Sequence, residues 1–370
     1  MTRKQTIHLV AAARPNFMKI APLYHALAEQ SWAEPVVVHT GQHYDLNMSD
    51  EIFEDLGLPA PDIHLEIGSG THAEQTGRAM MAYEKVLLER RPDLVTVVGD
   101  VNSTLAATLA AVKLGIPVAH LESGLRSRDR TMPEEINRVA TDALADLLWT
   151  PSPDADRNLL AEGIPEDRIE RVGNIMIDSL ERVRPRIEAD GTMKKLGLSA
   201  GGYGLVTLHR PANVDPPEAL GRICGILRRV SKRIPLVFPV HPRTRKNLEN
   251  GGWMDRLAEA PGMTLLPPVR YIAFMNLVFQ SALVITDSGG IQEETTYLGI
   301  PCLTLRPNTE RPITVERGTN RLCDAGNLEA AIRAALDGEM PSPGAPEFWD
   351  GRTAGRVVDS IRRFLASRGS

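Results

Sequence analysis

Short, continuous apolar runs recur along this 370-residue chain, and segments with helical periodicity separate them. In the first half the runs are Thr6–Ala13, Val36–Thr40, Leu94–Gly99, Ile116–Leu121 and Leu147–Pro151. In the second they are Leu205–His209, Leu236–His241, Met263–Leu266, Leu283–Asp287 and Pro301–Leu305. The helix-like segments are 17–30, 73–90, 103–114, 133–144, 217–233, 291–298 and 328–336. A strand that is apolar at every position is buried on both faces, so strand–helix alternation of this kind predicts parallel sheets covered by helices on each side. The predicted fold class is α/β, with two doubly wound domains over 1–172 and 173–352. At roughly 150 residues per domain, the length agrees with two. The halves meet near Val172–Asp178, the polar, Gly-containing stretch 190–204 reads as a surface connection, and a closing helix is expected over about 353–370. On that helix Val357, Val358, Ile361 and Phe364 share one face. Doubly wound domains gather ligand-binding groups at the carboxyl ends of their strands, which predicts a cleft between the two domains.

Composition narrows the function classes. Lys plus Arg number 42 and Asp plus Glu 47, so the formal net charge is −5. Proteins that coat nucleic acid or anionic membranes carry a basic excess, and neither partner is expected here. An apolar content of 42% with 24% charged residues is that of a globular protein, not of a disordered, collagen-like or disulfide-scaffolded one. The three cysteines, Cys224, Cys302 and Cys323, form no CxxC pair and point to a reducing compartment. Arg3 and Lys4 precede an apolar run ending in Ala11-Ala12-Ala13, which superficially resembles a signal peptide. The run is short, contains His8 and leads directly into Arg14-Pro15-Asn16, so it reads as a first buried strand. No stretch approaches the ~18 apolar residues of a membrane span. The expected location is cytoplasmic.

Residues with chemical potential lie at the predicted strand ends. Leu283–Glu294 reads as a strand, a Ser288-Gly289-Gly290 turn and a helix start, where free N–H groups and the helix dipole suit a phosphate. The same turn is equally an ordinary strand-to-helix connection with an N-cap serine; Glu293 and Glu294, one turn in, either accept from ribose hydroxyls or complement the dipole. Arg14 and Lys19 follow the first strand, against the dipole of the next helix, and either meet an anion or face solvent. Asp100 ends one strand and is a candidate N-cap, and Glu122 ends the next. Glu134 opens a helix after Pro133, and its spacing to Arg138 permits a surface ion pair. Carboxylates converging on one cleft would tune each other for acid–base work. His209 and His241 end strands in the second half, and Gln42-His43-Tyr44 follows a strand in the first. Gly68-Ser-Gly-Thr-His-Ala matches a loose dinucleotide fingerprint but does not follow a domain's first strand. The histidines lack metal-ligand spacing, so no metal is expected.

Taken together, Ala13-Arg-Pro-Asn-Phe-Met-Lys-Ile-Ala-Pro, Gly41-Gln-His-Tyr, Gly99-Asp-Val-Asn-Ser-Thr-Leu, His120-Leu-Glu-Ser-Gly-Leu-Arg, Pro133-Glu-Glu-Ile-Asn-Arg, Asp287-Ser-Gly-Gly-Ile-Gln-Glu-Glu and Thr309-Glu-Arg-Pro resemble the non-hydrolysing UDP-N-acetylglucosamine 2-epimerases, in family order and across nearly the whole chain. The resemblance implies a GT-B arrangement of two Rossmann-like domains, a C-terminal helix crossing back to the first domain, and a homodimer. It implies a UDP-sugar substrate and no cofactor. The C2 proton of such a sugar adjoins no carbonyl and is not acidic. The family's solution eliminates UDP to give 2-acetamidoglucal, then adds UDP back with the proton on the opposite face.

By this resemblance Asp100, Glu122, Glu134 and His209 form the catalytic set, supported by Lys19 and Arg138. Arg14 and the Ser288-Gly289-Gly290 turn meet the diphosphate, Glu294 holds the ribose, and His241 and Arg311 complete the nucleotide site. One departure stands out. Many bacterial members bind an activating second UDP-N-acetylglucosamine through a Gln-His-Arg loop, and Tyr44 stands here in place of the Arg. Relatives acting on UDP-2,3-diacetamido-glucuronate share much of the pattern. A GT-B glycosyltransferase, a hydrolysing variant releasing N-acetylmannosamine, and a non-enzymatic sugar-nucleotide sensor are the competing readings.

Overall fold

The computed structural model describes residues 3–41, 53–341 and 344–368. They form two compact units, one of residues 1–182 with 347–370 and the other of residues 183–346. The first holds a seven-stranded sheet, and its strands are β1 (Gln5–Ala11), β2 (Ala33–His39), β3 (Ile63–His64), β4 (Leu94–Val98), β5 (Val118–Leu121), β6 (Leu147–Thr150) and β7 (Ile169–Arg171). Their order is β3-β2-β1-β4-β5-β6-β7. The second unit holds β8 (Gly204–Thr207), β9 (Leu236–Pro239), β10 (Met263–Leu266), β11 (Leu283–Thr286), β12 (Cys302–Leu305) and β13 (Asn320–Cys323), in the order β10-β9-β8-β11-β12-β13. Pairing is parallel in both sheets. Each sheet therefore reverses its strand order once, between β1 and β4 in the first and between β8 and β11 in the second. Crossovers diverge at that point and leave a crevice at the carboxyl ends of the strands.

The apolar runs become strands because both faces are covered. All five residues of β4 are buried, as are all four of β11 and of β12. The strands without an apolar run, β3, β7 and β13, are sheet edges. They are short and partly polar, as edges that must resist further pairing tend to be. Helix Asn102–Lys113 is rich in Ala, Ser and Thr because it is itself mostly buried, packed against helix His72–Glu89 and helix Pro133–Leu144. The glycine-containing loop before His72 ends in a capping box. Thr71 accepts from the Glu74 N–H, and the Glu74 carboxylate accepts from the Thr71 N–H at 2.9 Å. Among the described residues no helix is long and apolar enough to cross a membrane. All three cysteines are free and buried.

Helix Thr353–Arg368 belongs to the first unit and packs on helix Arg14–Ala28. Val357, Val358 and Ile361 are buried, while Phe364 is half-exposed. Its N-terminus is capped from outside by Asp178, whose carboxylate accepts from the N–H groups of Thr353 at 3.1 Å and Ala354 at 2.8 Å. Further along, the Trp149 indole on β6, fully buried, donates to Ser360 Oγ at 2.8 Å, and Ser360 donates to Glu170 at 2.6 Å. Ser360→Ala strands the indole N–H in an apolar setting. The expected cost is about 1–3 kcal/mol, read as a lower urea midpoint for the N-terminal unit; an unchanged midpoint would contradict it.

Candidate active site

The first unit's candidate residues sit on the loops after β1, β4 and β5, which surround its point of strand reversal. Asn16 shapes the first loop. Its Oδ1 accepts from the N–H groups of Ala12 at 3.2 Å and Ala13 at 3.1 Å, and its Nδ2 donates to the Val98 carbonyl at 3.2 Å. The turn after β1 is thereby tied to the end of β4. Arg14 and Pro15 open the following helix. Lys19, one turn on, does not face solvent: it is buried and ion-paired with Glu122, whose side chain is equally buried.

Glu122 adopts φ +72°, the left-handed region a non-glycine residue enters only at a cost of about 1–3 kcal/mol. The N–H groups of Glu122 and Ser123 both donate to the Trp149 carbonyl at 3.1 Å, which holds the chain in that shape. Gly99, at φ +66°, lies beside the pair. A methyl group there would stand 3.0 Å from Lys19 Nζ and 3.8 Å from Glu122 Oε2. Asp100 follows Gly99 directly in the chain.

Asp100 is not a helix cap; Val101 takes that position, and the Asp100 side chain, one-third exposed, pairs with Arg138. The anticipated Glu134–Arg138 surface pair does not form. Arg138 is buried and divides its guanidinium between Asp100 and Glu135, the latter at 2.5 Å. Burial disfavours its charge, but these two carboxylates more than offset that and raise its pKa. Glu135, which sequence reasoning passed over, is the buried organiser. It accepts from Ser127 N–H and Oγ at 2.9 Å and from the Arg128 N–H at 2.8 Å. Burial works against its ionisation, yet these donors and Arg138 hold its pKa below the usual range. Glu134 is half-buried and pairs with nothing among the described residues, while Asn137 on the same helix donates to the Asp100 carbonyl at 2.9 Å. Asp100 and Glu122 thus each face a cation, not each other.

In the second unit the reversal lies between β8 and β11, and a residue quoted only within a motif, Asp287, organises it. Its fully buried carboxylate accepts from the His209 N–H at 3.0 and 3.1 Å, the Arg210 N–H at 2.9 Å and Asn213 Nδ2 at 3.1 Å. His209 Nδ1 also lies 2.9 Å from it. Burial alone would raise the Asp287 pKa, but His209, Asn213 and Arg210 bring it below the usual value. A carboxylate on Nδ1 fixes the ring's tautomer and leaves Nε2 as the working nitrogen. His241 caps helix Pro242–Asn250 by accepting from the Arg243 N–H, with its ring 5.7 Å from that of His209. Burial, and then the neighbouring His209, lower its pKa.

The Ser288-Gly289-Gly290 turn opens helix Gly289–Leu298 and is half-exposed. Ser288 does not cap the helix with its side chain, so its hydroxyl leaves the first-turn N–H groups to an incoming acceptor. Beneath the turn lies an ionic floor. A methyl at Gly289 would meet Glu310 Oε1 at 2.9 Å and Arg311 Nη1 at 3.1 Å. Arg311 itself is held by Glu310 at 2.7 Å and Glu293 at 2.8 Å, and Glu310 also pairs with Arg306 at 2.9 Å. Gln292 donates to the Ser288 carbonyl and accepts from Thr309 Oγ1 and Asn320 Nδ2, which ties the turn to β13. Glu294, buried, accepts from the Tyr271 hydroxyl at 2.9 Å. The fold thus brings His209, His241 and Asp287 together just beyond the ends of β8, β9 and β11, and Ser288–Gly290 with Arg311 at the adjoining turn. Gln42-His43-Tyr44 lies outside the described residues.

Although burial disfavours its charge, Arg311 and Arg306 lower the Glu310 pKa from 4.5 to about 2. The folded state thus keeps the carboxylate ionised where the unfolded chain would protonate it. Its contribution to stability is full above pH 4.5 and is lost as pH falls towards about 2. Glu310→Gln is expected to lower the stability of the C-terminal unit at neutral pH and to flatten its loss below pH 4.5, measured by denaturation across a pH series.

A family model described as UDP-N-acetylglucosamine 2-epimerase matches residues 25–362. The UDP-N-acetylglucosamine 2-epimerase of Methanocaldococcus jannaschii is 44% identical over 335 residues, 89% of this chain and 90% of that one. The UDP-2,3-diacetamido-2,3-dideoxy-D-glucuronate 2-epimerase of Pseudomonas aeruginosa is 42% identical over 360 residues, 96% and 98% of the two chains. The crystal structure of the M. jannaschii enzyme in complex with UDP-GlcNAc and UDP superposes with a TM-score of 0.86 at 40% identity, over 97% of this chain and all of that one. The glycosyltransferase of kitacinnamycin, 14% identical over 98% of this chain and all of that one, with a TM-score of 0.58, shares the fold alone. Two parallel, doubly wound sheets and these likenesses make the fold GT-B-like, and the chain belongs to the UDP-N-acetylglucosamine 2-epimerase family.

Proposed function

We propose that this protein interconverts UDP-N-acetylglucosamine and UDP-N-acetylmannosamine by eliminating UDP and adding it back. The observation that carries the reading is the buried Lys19–Glu122 pair against Gly99, the residue before Asp100, held at the point of strand reversal on a strained backbone. Elimination breaks the C1–O bond, whose electron pair leaves on the β-phosphate, while a carboxylate takes the C2 proton and a C1–C2 double bond forms. Re-addition returns the proton to the other face of C2 and reforms the C1–O bond. Two acid–base groups are needed, one for each face, and Asp100 and Glu122, with Glu134 at the next loop, are the candidates. Each of the first two is ion-paired with a cation, and Lys19 and Arg138 compensate charge as the proton moves. A positioned acid or base of this kind contributes about 10²–10⁴ in rate.

His209, oriented by Asp287, and the first-turn N–H groups of helix Gly289–Leu298 serve the departing diphosphate, and preorganised donors of this kind stabilise developing charge without reorganising. Arg14 joins them by resemblance, Glu294 takes the ribose hydroxyls, and His241 borders the same strand ends. Arg311 acts from below, keeping the Gly289 turn in shape through Glu293 and Glu310. The working form is a homodimer, which sedimentation velocity tests directly. A second substrate reading has a specific basis: the P. aeruginosa relative, named for a diacetamido-glucuronate, is 42% identical to this chain. The elimination chemistry is the same for both sugars.

The test is incubation with each UDP-sugar in heavy water, without nicotinamide or acceptor, followed by NMR at C2. Epimerisation with deuterium at C2 is the expected result for one of them. Absence of exchange with either sugar would sink the proposal, and free sugar as the sole product would make the enzyme a hydrolase. Asp100→Asn and Glu122→Gln are each expected to slow exchange by at least about 10²-fold while UDP still binds by calorimetry. Normal turnover in both variants would show that these acids do not carry the reaction.

A further inference from the structure

Two buried side chains outside the assignments above join the loops that bear Asp100 and Glu122. His120 lies on β5 and Asp142 in helix Pro133–Leu144, both fully buried. His120 Nδ1 stands 2.6 Å from Asp142 Oδ1, and its Nε2 stands 2.8 Å from the carbonyl oxygen of Gly99. The other Asp142 oxygen accepts from the Gly124 N–H at 3.0 Å and lies 2.8 Å from Arg126 Nη1. A side chain at Gly124 is excluded, because its Cβ would fall 2.5 Å from the Ala155 carbonyl oxygen. The turn after Glu122 thus presses closely on its neighbour and has its N–H fixed by Asp142.

Counting donors settles the state of the imidazole. A backbone carbonyl only accepts, so Nε2 must carry a hydrogen. Asp142 Oδ2 already faces two donors, the Gly124 N–H and the Arg126 guanidinium, the arrangement of an ionised carboxylate. An ionised carboxylate also only accepts, so Nδ1 must carry a hydrogen too, and an imidazole protonated on both nitrogens is a cation. Arg126 spans the buried Asp142 and the exposed Glu162, the latter at 2.6 Å.

We infer that His120 is a buried imidazolium and a positioning residue, bridging the Gly99–Asp100 turn to the Glu122–Gly124 turn through Asp142. Its bond to the Gly99 carbonyl is charge-assisted, so it restrains the residue before Asp100 more firmly than a neutral donor would. Through Asp142 it restrains the residue two beyond Glu122. The catalytic consequence rests on the proposed epimerase reading; the charge state does not.

Histidine-selective nitrogen labelling and NMR of the full chain at neutral pH tests the charge directly. Two protonated ring nitrogens are expected for His120, and one bare nitrogen would overturn the inference. In Asp142→Asn, which keeps the shape and removes the charge, the His120 signal is expected to become that of a neutral ring protonated at Nε2. A signal that stays doubly protonated would count against the donor argument. In the exchange assay, His120→Gln is expected to lose about 100-fold in kcat, the scale of a small misplacement of reacting groups, with KM and UDP affinity near those of the unaltered protein. An unchanged kcat in that variant would overturn the positioning role. Should His120→Gln fail to fold, the NMR measurements on the unaltered chain and on Asp142→Asn still decide the charge. Failure of the unaltered chain to exchange deuterium would instead strike the epimerase reading and leave the NMR result standing.

Discussion

A parallel sheet has one carboxyl edge, and everything reactive in this protein follows from that constraint. Strands buried on both faces admit few polar side chains, such as Thr96, Thr304 and His120, each of them fully buried, and β4, β11 and β12 are sealed throughout. With His120 as the exception, the charged groups described above gather beyond the strand ends, where the reversal of strand order holds two loops apart. Lys19, Asp100 and Glu122 all occur within a few residues of a strand or helix boundary at that edge, and His209 and Ser288 do so in the second sheet. The net charge of the chain says little about function because the sheet sorts charge by position.

Burying ions at such an edge carries a desolvation cost, and the protein meets it by giving each a partner. Lys19 has Glu122, Arg138 has Asp100 and Glu135, Arg311 has Glu293 and Glu310, and Asp287 has a ring of donors. Buried pairs of this sort add little net stability, but losing one member is strongly destabilising, because it strands the other. They are better understood as fixing geometry. The same logic explains how Glu122 persists at positive φ: the Trp149 carbonyl, anchored in a strand, takes two successive N–H groups.

Much of this was legible in the sequence, and the reasons differ by residue. Central strands announced themselves by unbroken apolar runs, whereas β3, β7 and β13 did not, because an edge strand needs only one covered neighbour and tolerates polar residues. The strand-end positions of Asp100, Glu122, His209 and Ser288 were readable from the pattern of runs and turns. Their partners were not. Spacing paired Arg138 with Glu134, four residues away, yet the side chain turns towards Asp100 on another loop and Glu135 on its own helix. Local spacing says nothing of which face of a helix meets which loop. Glu135, Asp142 and Asp287 were hidden for a related reason: an acid on a helix or at a strand end looks solvated until tertiary contacts bring donors to it.

The position of helix Thr353–Arg368 has a consequence for the order in which this chain can be built. The N-terminal unit is interrupted by the whole of residues 183–346, and its last helix is made after them. Until residue 360 leaves the ribosome, the indole N–H of Trp149 lacks its serine and the carboxylate of Asp178 lacks the two N–H groups it caps. The C-terminal unit, continuous in sequence, is free to fold first. The domain that begins the chain is thus the last to be completed, and in the interval it exposes the apolar surface of helix Arg14–Ala28 that the final 16-residue helix covers.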